Sequence, residues 1–298
     1  MRRVAASVCV GSLILLQSAS LAGNEPSRVR AMGNGLLAVS SASSYGLWVF
    51  DPERPGSQRR ELARRGSWPT WSPDGRRIAY QVYRTLPPRD GRSIWVSDAA
   101  GGNRRKVIAN GSMPDWSPSA REFAYIRDDG VYVARSDGRR QRRIIANTRN
   151  RHFQFVRWSP SGRFLALSAW EPNVGQYGTA RMYVRAVAAG PLHLLVNPAP
   201  ERTAFVWAPD GRRVASSTCL NEGRDGTIKI FDSDRRELER TLNTPRCPYH
   251  LAWAPDGGSI AYCRSGGIDR ISLIGPPRAT VVAETGRCSH GFAWQPEP

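Results

Sequence analysis

Residues 71–80 read WSPDGRRIAY, and variants recur as WSPSAREFAY (116–125), WSPSGRFLAL (158–167), WAPDGRRVAS (207–216) and WAPDGGSIAY (253–262), with a shortened WQPEP at 294–298. The leading tryptophans are spaced by 45, 42, 49, 46 and 41 residues. A period of this size, in a chain with 28 glycines and 22 prolines, marks a repeat architecture. Each period has the same internal order. An apolar stretch ends at the tryptophan, as in FQFVRW (153–158), TAFVW (203–207) and HLAW (250–253), and a tight turn leads to a second strand such as RIAYQV (77–82). A third strand rich in β-branched and aromatic residues follows, for example SIWVSD (93–98), GVYVARS (130–136), RMYVRAV (181–187) or TIKIFD (227–232). The fourth is RKVIAN (105–110), RRIIAN (142–147), LHLLVN (192–197) or ATVVAE (279–284). Four short antiparallel strands per period make one propeller blade.

The decapeptide reads as structure. In Ser72-Pro73-Asp74-Gly75 the serine hydroxyl caps the turn, proline sets φ for the second position of a type I turn, and glycine takes the left-handed conformation that closes a three-residue hairpin. The tryptophans are large, flat side chains suited to the gap between blades. Asp74, Asp210 and Asp256 are turn residues, and Glu171 and Glu222 fall in loops between second and third strands.

The two ends of the chain complete each other. LLAVSSA, GLWVF and RRELA, within residues 36–66, match second, third and fourth strands with no first, whereas HGFAWQPEP (290–298) is a first strand with nothing after it. The expected fold is all-β: a six-bladed propeller of four-stranded antiparallel blades. The C-terminal strand lies innermost in blade 1, beside Leu36–Ala42, and closes the ring.

The repeated W-[SA]-P-[DS]-G-x-x-[IVL]-A pattern, with its arginine-rich fourth strands, resembles the TolB-type β-propeller repeat, also found in the propeller domains of prolyl oligopeptidases and dipeptidyl peptidases. The resemblance covers about residues 33–296. Residues 23–32 leave no room for the extra N-terminal α/β domain of TolB, the peptidases' G-x-S-x-G nucleophile elbow is absent, and so are the G-H and W-D signatures of WD repeats.

Residues 1–22 have the grammar of a secretory signal: Arg2 and Arg3, an apolar stretch from Val4 to Leu16, and small residues at Ser20 and Ala22. Cleavage is expected after Ala22, with a short segment at 23–32 and the propeller at 33–298. No other stretch is long and apolar enough to span a bilayer. The expected location is therefore periplasmic or extracellular, with a monomeric mature chain.

Export decides how the cysteines are read. Losing Cys9 with the signal leaves Cys219, Cys247, Cys263 and Cys288, an even set in an oxidising compartment. Cys219 and Cys263 end second strands, and Cys247 and Cys288 each precede a repeat tryptophan by six residues. This arrangement suggests a duplicated staple, Cys219–Cys247 and Cys263–Cys288; pairing Cys247 with Cys263 is the rival. A zinc site lacks the usual C-x-x-C spacing.

The net charge of +18 falls to +16 once Arg2 and Arg3 leave. Basic runs such as NRRK (103–106) and GRRQRR (138–143) admit an acidic ligand, but only Lys106 and Lys229 are lysines, and an arginine habit accounts for the runs as well as nucleic-acid binding does. Nucleic acid is not the expected partner.

Loops joining fourth to first strands, and second to third, form one face of the disk around the channel. Trp68, Met113, His152, Phe153, Arg202, Tyr249, His250 and His290 belong to it, and aromatic and arginine side chains there are the usual stock of a protein interface. The expected function is protein or peptide binding by an exported scaffold. The TolB resemblance implies an envelope partner, such as a lipoprotein tail entering the channel. The alternative is a metal-dependent lyase or hydrolase of acidic polysaccharide, with His152, His250 and His290 converging on a metal. Their offsets from the tryptophans differ, at six, three and four residues, so no metal site, cofactor or catalytic residue is assigned.

Overall fold

The fold comes from a computed structural model describing residues 34–40, 46–52, 58–83, 91–172, 179–199, 205–220, 225–284 and 291–296. The expected signal segment, Arg202, Cys288 and His290 lie outside them. Within them there are 24 strands in six four-stranded antiparallel sheets. No helix there is long and apolar enough to cross a membrane.

Blade 1 contains β1 (Asn34–Ser40), β2 (Leu47–Phe50) and β3 (Arg60–Ala63), and blade 2 contains β4 (Ser67–Trp71), β5 (Arg77–Tyr83), β6 (Arg92–Asp98) and β7 (Arg105–Ala109). Blade 3 is β8 (Ser112–Trp116), β9 (Glu122–Arg127), β10 (Gly130–Arg135) and β11 (Arg142–Ala146); blade 4 is β12 (His152–Trp158), β13 (Phe164–Glu171), β14 (Thr179–Ala186) and β15 (His193–Ala199). Blade 5 is β16 (Phe205–Trp207), β17 (Arg213–Leu220), β18 (Asp225–Asp232) and β19 (Leu238–Thr244). Blade 6 is β20 (Leu251–Trp253), β21 (Ser259–Arg264), β22 (Gly267–Ser272) and β23 (Ala279–Glu284), and β24 (Phe292–Pro296) ends the chain.

Ring closure is as the sequence demands. β24 pairs with β1 through Leu37↔Trp294, Ala38↔Ala293 and Val39↔Phe292, giving the sheet order β24-β1-β2-β3. Each innermost strand then touches the next around the ring, from β24 through β4, β8, β12, β16 and β20 back to β24. Without that strand, blades 2 and 6 would each face an unfilled gap.

The five complete decapeptides share one turn. Gly75, Gly162, Gly211 and Gly257 take φ of 65°, 73°, 69° and 74°, and each donates its N–H to the residue three before it at 2.8–2.9 Å. Ser72 Oγ accepts from Arg77 N at 2.9 Å and donates to Asp74 Oδ1 at 2.5 Å. In the third blade Ala120 stands where the others have glycine, and it is forced to φ 56°. A left-handed alanine costs about 1 kcal/mol. Replacing Ala120 by glycine is therefore expected to stabilise the protein by about that much in denaturant unfolding, and an unchanged or lowered midpoint contradicts the turn assignment.

Six buried clusters fill the six interfaces between blades. Trp158, Leu165, Leu167 and Tyr183 of blade 4 meet Ala124, Val131 and Val133 of blade 3, while Leu37, Phe292 and Trp294 of blade 1 meet Ala261, Cys263 and Ile268 of blade 6. All six repeat tryptophans are 4–7% exposed. Three of them also stitch neighbouring blades by hydrogen bonds: Trp71, Trp116 and Trp207 Nε1 donate to the carbonyls of Ala293, Thr70 and Arg157 at 3.2, 3.2 and 3.4 Å. Trp158 and Trp253 instead close their own turns on Gly162 and Gly257.

Candidate binding face

The loop end of the channel is built by the first residues of the innermost strands. β4 and β8 begin with the same pattern, Ser67-Trp68-Pro69 and Ser112-Met113-Pro114, and both slip register against their second strands just there. The slip comes from left-handed residues at equivalent positions: Trp68 at φ 53° and Met113 at φ 52°, matched by Gly291 at φ 90° before β24. Such a conformation is unusual for a large side chain and holds only where surroundings enforce it.

It turns Trp68 inward. The indole meets Phe155 of blade 4 and His250 of blade 6 edge-on, each with ring centroids 5.0 Å away. It also packs over Gly291 of blade 1, where a Cβ would sit 3.0 Å from the indole. Trp68 therefore lies at the channel end of the ring, 9% exposed, with contacts to the innermost segments of blades 1, 4 and 6.

Two residues on from Trp68 and Met113, β4 and β8 carry the polar residues Thr70 and Asp115. Thr70 Oγ1 donates to Asp115 Oδ1 at 3.0 Å, and Trp158 N donates to Asp115 Oδ2 at 2.6 Å, so one carboxylate joins blades 2, 3 and 4. Burial pushes the Asp115 carboxyl up, and the Arg157 charge and these two bonds only partly oppose it. A raised folded-state value means that stability from this group is fully present below the unfolded value near 3.8 and is lost as pH rises through the folded one. Asp115→Asn keeps an acceptor for Trp158 N and removes the buried charge. It is expected to flatten this acidic part of the stability–pH curve and to cost nothing at neutral pH. Asp115→Ala strands the Thr70 hydroxyl and Trp158 N–H and is expected to cost about 1–3 kcal/mol. Parallel urea titrations from pH 3 to 8 distinguish the two, and an unchanged pH profile in the asparagine variant rules this role out.

Among the described residues, blade 4 carries a cluster of charged and aromatic groups at its loop end. Glu171 is not in a loop but ends β13, where it is 5% exposed. Arg151 Nε and Arg181 Nη1 approach its two oxygens at 2.7 and 3.0 Å, and the Tyr183 hydroxyl donates to it. Burial raises the carboxyl, but Tyr183 and the two guanidiniums outweigh it and hold the group below the usual range. On the opposite face of the same blade, His152 pairs across strands with Trp170, their rings 6.1 Å apart. Trp170 is 38% exposed. It escaped sequence reading, although a tryptophan twelve residues past the repeat position of Trp158 has no packing duty in the repeat.

The other expected face residues divide. His152 is exposed and Met113, Tyr249 and His250 are half-buried, whereas Phe153 points into the core between blades 3 and 4. Arg202 and His290 fall outside the described residues, among which no three histidine, cysteine, aspartate or glutamate side chains converge to hold a metal. Cys219 and Cys247 form a disulfide with Cα atoms 4.8 Å apart, tying the end of β17 to the segment that enters β20. Cys247 is thus taken, which removes the rival pairing with Cys263. Cys263 is itself disulfide-bonded, and its expected partner Cys288 lies outside the described residues.

The family model described as "WD domain, G-beta repeat" matches residues 201–232, within blade 5, without the G-H and W-D dipeptides. No curated protein matches the sequence significantly. Among solved structures, TolB from Acinetobacter baumannii superposes with a TM-score of 0.66 at 20% identity, covering 89% of this chain and 67% of its own. A structure described as a TolB of Agrobacterium tumefaciens gives 0.58 at 18% identity, covering 75% and 83%. A structure described as a 6-phosphogluconolactonase of Bacteroides fragilis gives 0.55 at 13% identity, covering 91% and 99%. Identities this low establish fold alone, and one architecture hosts unrelated functions. In fold, this chain is a TolB-like six-bladed propeller.

Proposed function

We propose that this chain is an exported protein-binding scaffold whose partner, a protein or peptide of the cell envelope, docks on the loop face around the channel end where Trp68 lies. The observation that carries the reading is the exposed Trp170–His152 pair at the loop end of blade 4, on the face opposite the Glu171–Arg151–Arg181 cluster that fixes the end of β13. Tryptophan is among the residues that dominate binding hot spots, and 38% of this indole is open to solvent at the loop end of the blade. With Trp68 at the channel end, the partner lies over the face instead of threading through it. Export is supported by the signal-like N-terminus and by the Cys219–Cys247 bond, since disulfides persist in oxidising compartments.

The test is capture from envelope extract by the purified chain and by its Trp170→Ala variant. A specific partner should be retained by the first, and its affinity should fall by about 2 kcal/mol, roughly thirtyfold, in the second. No specific partner, or one held equally by both, overturns the proposal.

A further inference from the structure

The sequence holds two cationic runs 33 residues apart, Arg104-Arg105-Lys106 and Arg139-Arg140-Gln141-Arg142. The fold places them side by side. The hairpin between β10 and β11 lies against the outermost strand of blade 2, so closely that a Cβ on Gly138 would sit 1.8 Å from the Val107 carbonyl oxygen. Gly138, at φ 87°, is thus the contact that lets the second run reach the first. All six cations are exposed, and none forms an ion pair among the described residues.

The nearby acids are already committed. Asp98 accepts from Ala100 N, Gly102 N and Asn103 Nδ2 within its own turn, and Asp137 accepts from Arg139 N and pairs with Arg135. Guarding an edge strand from aggregation explains charge at such positions but not a single sign of charge. The other outer strands lack such single-sign clusters: β3 reads RELA, β15 HLLVNPA, β19 LERTLNT and β23 ATVVAE.

We propose that this outer rim of blades 2 and 3 is a docking surface for an anionic lipid bilayer. Five of the six cations are arginines, whose guanidinium fork suits phosphate oxygens. They stand along a convex edge and do not line the cavity of about 240 Å³, which lies between blades 4 and 5 and is walled by Phe164, Leu195 and Trp207. Cations spread along an edge cannot converge on one small anion, whereas a bilayer surface presents many phosphates in one plane. Each such cation contributes about 1 kcal/mol near an anionic surface. The rim is separate from the blade 4 face proposed for the protein partner, so the two readings fail independently.

The experiment is flotation of the purified mature chain with phosphatidylglycerol vesicles and with phosphatidylcholine vesicles, at low and at high salt. Binding is expected only to the anionic vesicles and should weaken with salt. Arg139→Glu/Arg140→Glu/Arg142→Glu should lose at least a hundredfold, the effect of about three cation contacts. Arg212→Glu/Arg235→Glu/Arg236→Glu changes net charge equally at blade 5 and should lose far less. Thermal melting of both variants establishes that each remains folded; if the first does not, Arg105→Glu/Lys106→Glu replaces it with the same expected direction. The proposal is overturned by no preference for anionic vesicles, by equal losses in the two triple variants, or by heparin at matched charge binding more tightly than the vesicles.

Discussion

Deleting residues 291–298 is expected to abolish cooperative folding, the largest effect of any short deletion in the chain. The segment supplies Phe292 and Trp294, 4% and 6% exposed, and truncating a buried aromatic side chain costs about 3–5 kcal/mol each. It also supplies the pairing with β1 and the carbonyl of Ala293 that receives the Trp71 indole N–H. Gln295 adds a bridge between blades, accepting from Leu36 N at 3.0 Å and donating to the Gly75 carbonyl at 2.7 Å. These losses together approach or exceed the roughly 5–15 kcal/mol that keeps a domain folded. Calorimetry should show no sharp transition, whereas Gln295→Ala, which leaves the strand in place, should retain one at a lower temperature. A truncated chain that melts cooperatively near the parent temperature would falsify ring closure by this strand.

Loss of Asp269 should be nearly as damaging for a residue on a hairpin. Arg264 Nε lies 2.8 Å from Asp269 Oδ1, with side chains only 5% and 8% exposed, and the Tyr262 hydroxyl donates to the other carboxylate oxygen at 3.4 Å. Burial, with the Asp269 charge beside it, holds the Tyr262 hydroxyl far above the ordinary tyrosine range, so it remains a donor at any physiological pH. Removing the carboxylate takes the Nε partner from a buried guanidinium that otherwise keeps its Nη1 bond to the Ser265 carbonyl, and losing one member of a buried pair costs about 3–5 kcal/mol. Asp269→Ala should therefore lower stability by that amount in urea, while the double variant Arg264→Met/Asp269→Leu should recover most of it. A double variant no better than the single one would show that the pair contributes more than mutual neutralisation.

The architecture was legible because the chain states it repeatedly. Five turns with one hydrogen-bond pattern fix where first strands end and second strands begin, and the truncated copy at 294–298 announces the closing strand. The face was less legible, for a physical reason. Trp68 and Phe153 both precede a repeat tryptophan and look alike in sequence, yet Trp68 lies at the channel end and Phe153 enters the core. What separates them is offset and backbone conformation: Trp68 stands three residues before its tryptophan and is left-handed, whereas Phe153 stands five before Trp158 in β12 and is not. The recurrence of Ser-x-Pro at 67–69 and 112–114 was the available signal. Asp115 and Glu171 were unreadable because their partners come from other strands: Thr70 and Trp158 in one case, Arg151 and Arg181 in the other. Single-sequence patterning carries strand periodicity well and carries cross-strand polar contacts poorly.

Site-specific photo-crosslinking in intact cells tests the binding face most directly. A photoreactive residue placed at Trp170 on the loop face, and another at Gly257 on the turn face, sample opposite sides of one ring. Position 170 should give a discrete adduct with a single envelope protein that position 257 does not give. Equal adducts from both positions, or none from position 170 in a chain shown to be folded, would contradict the assignment of partner binding to the loop face.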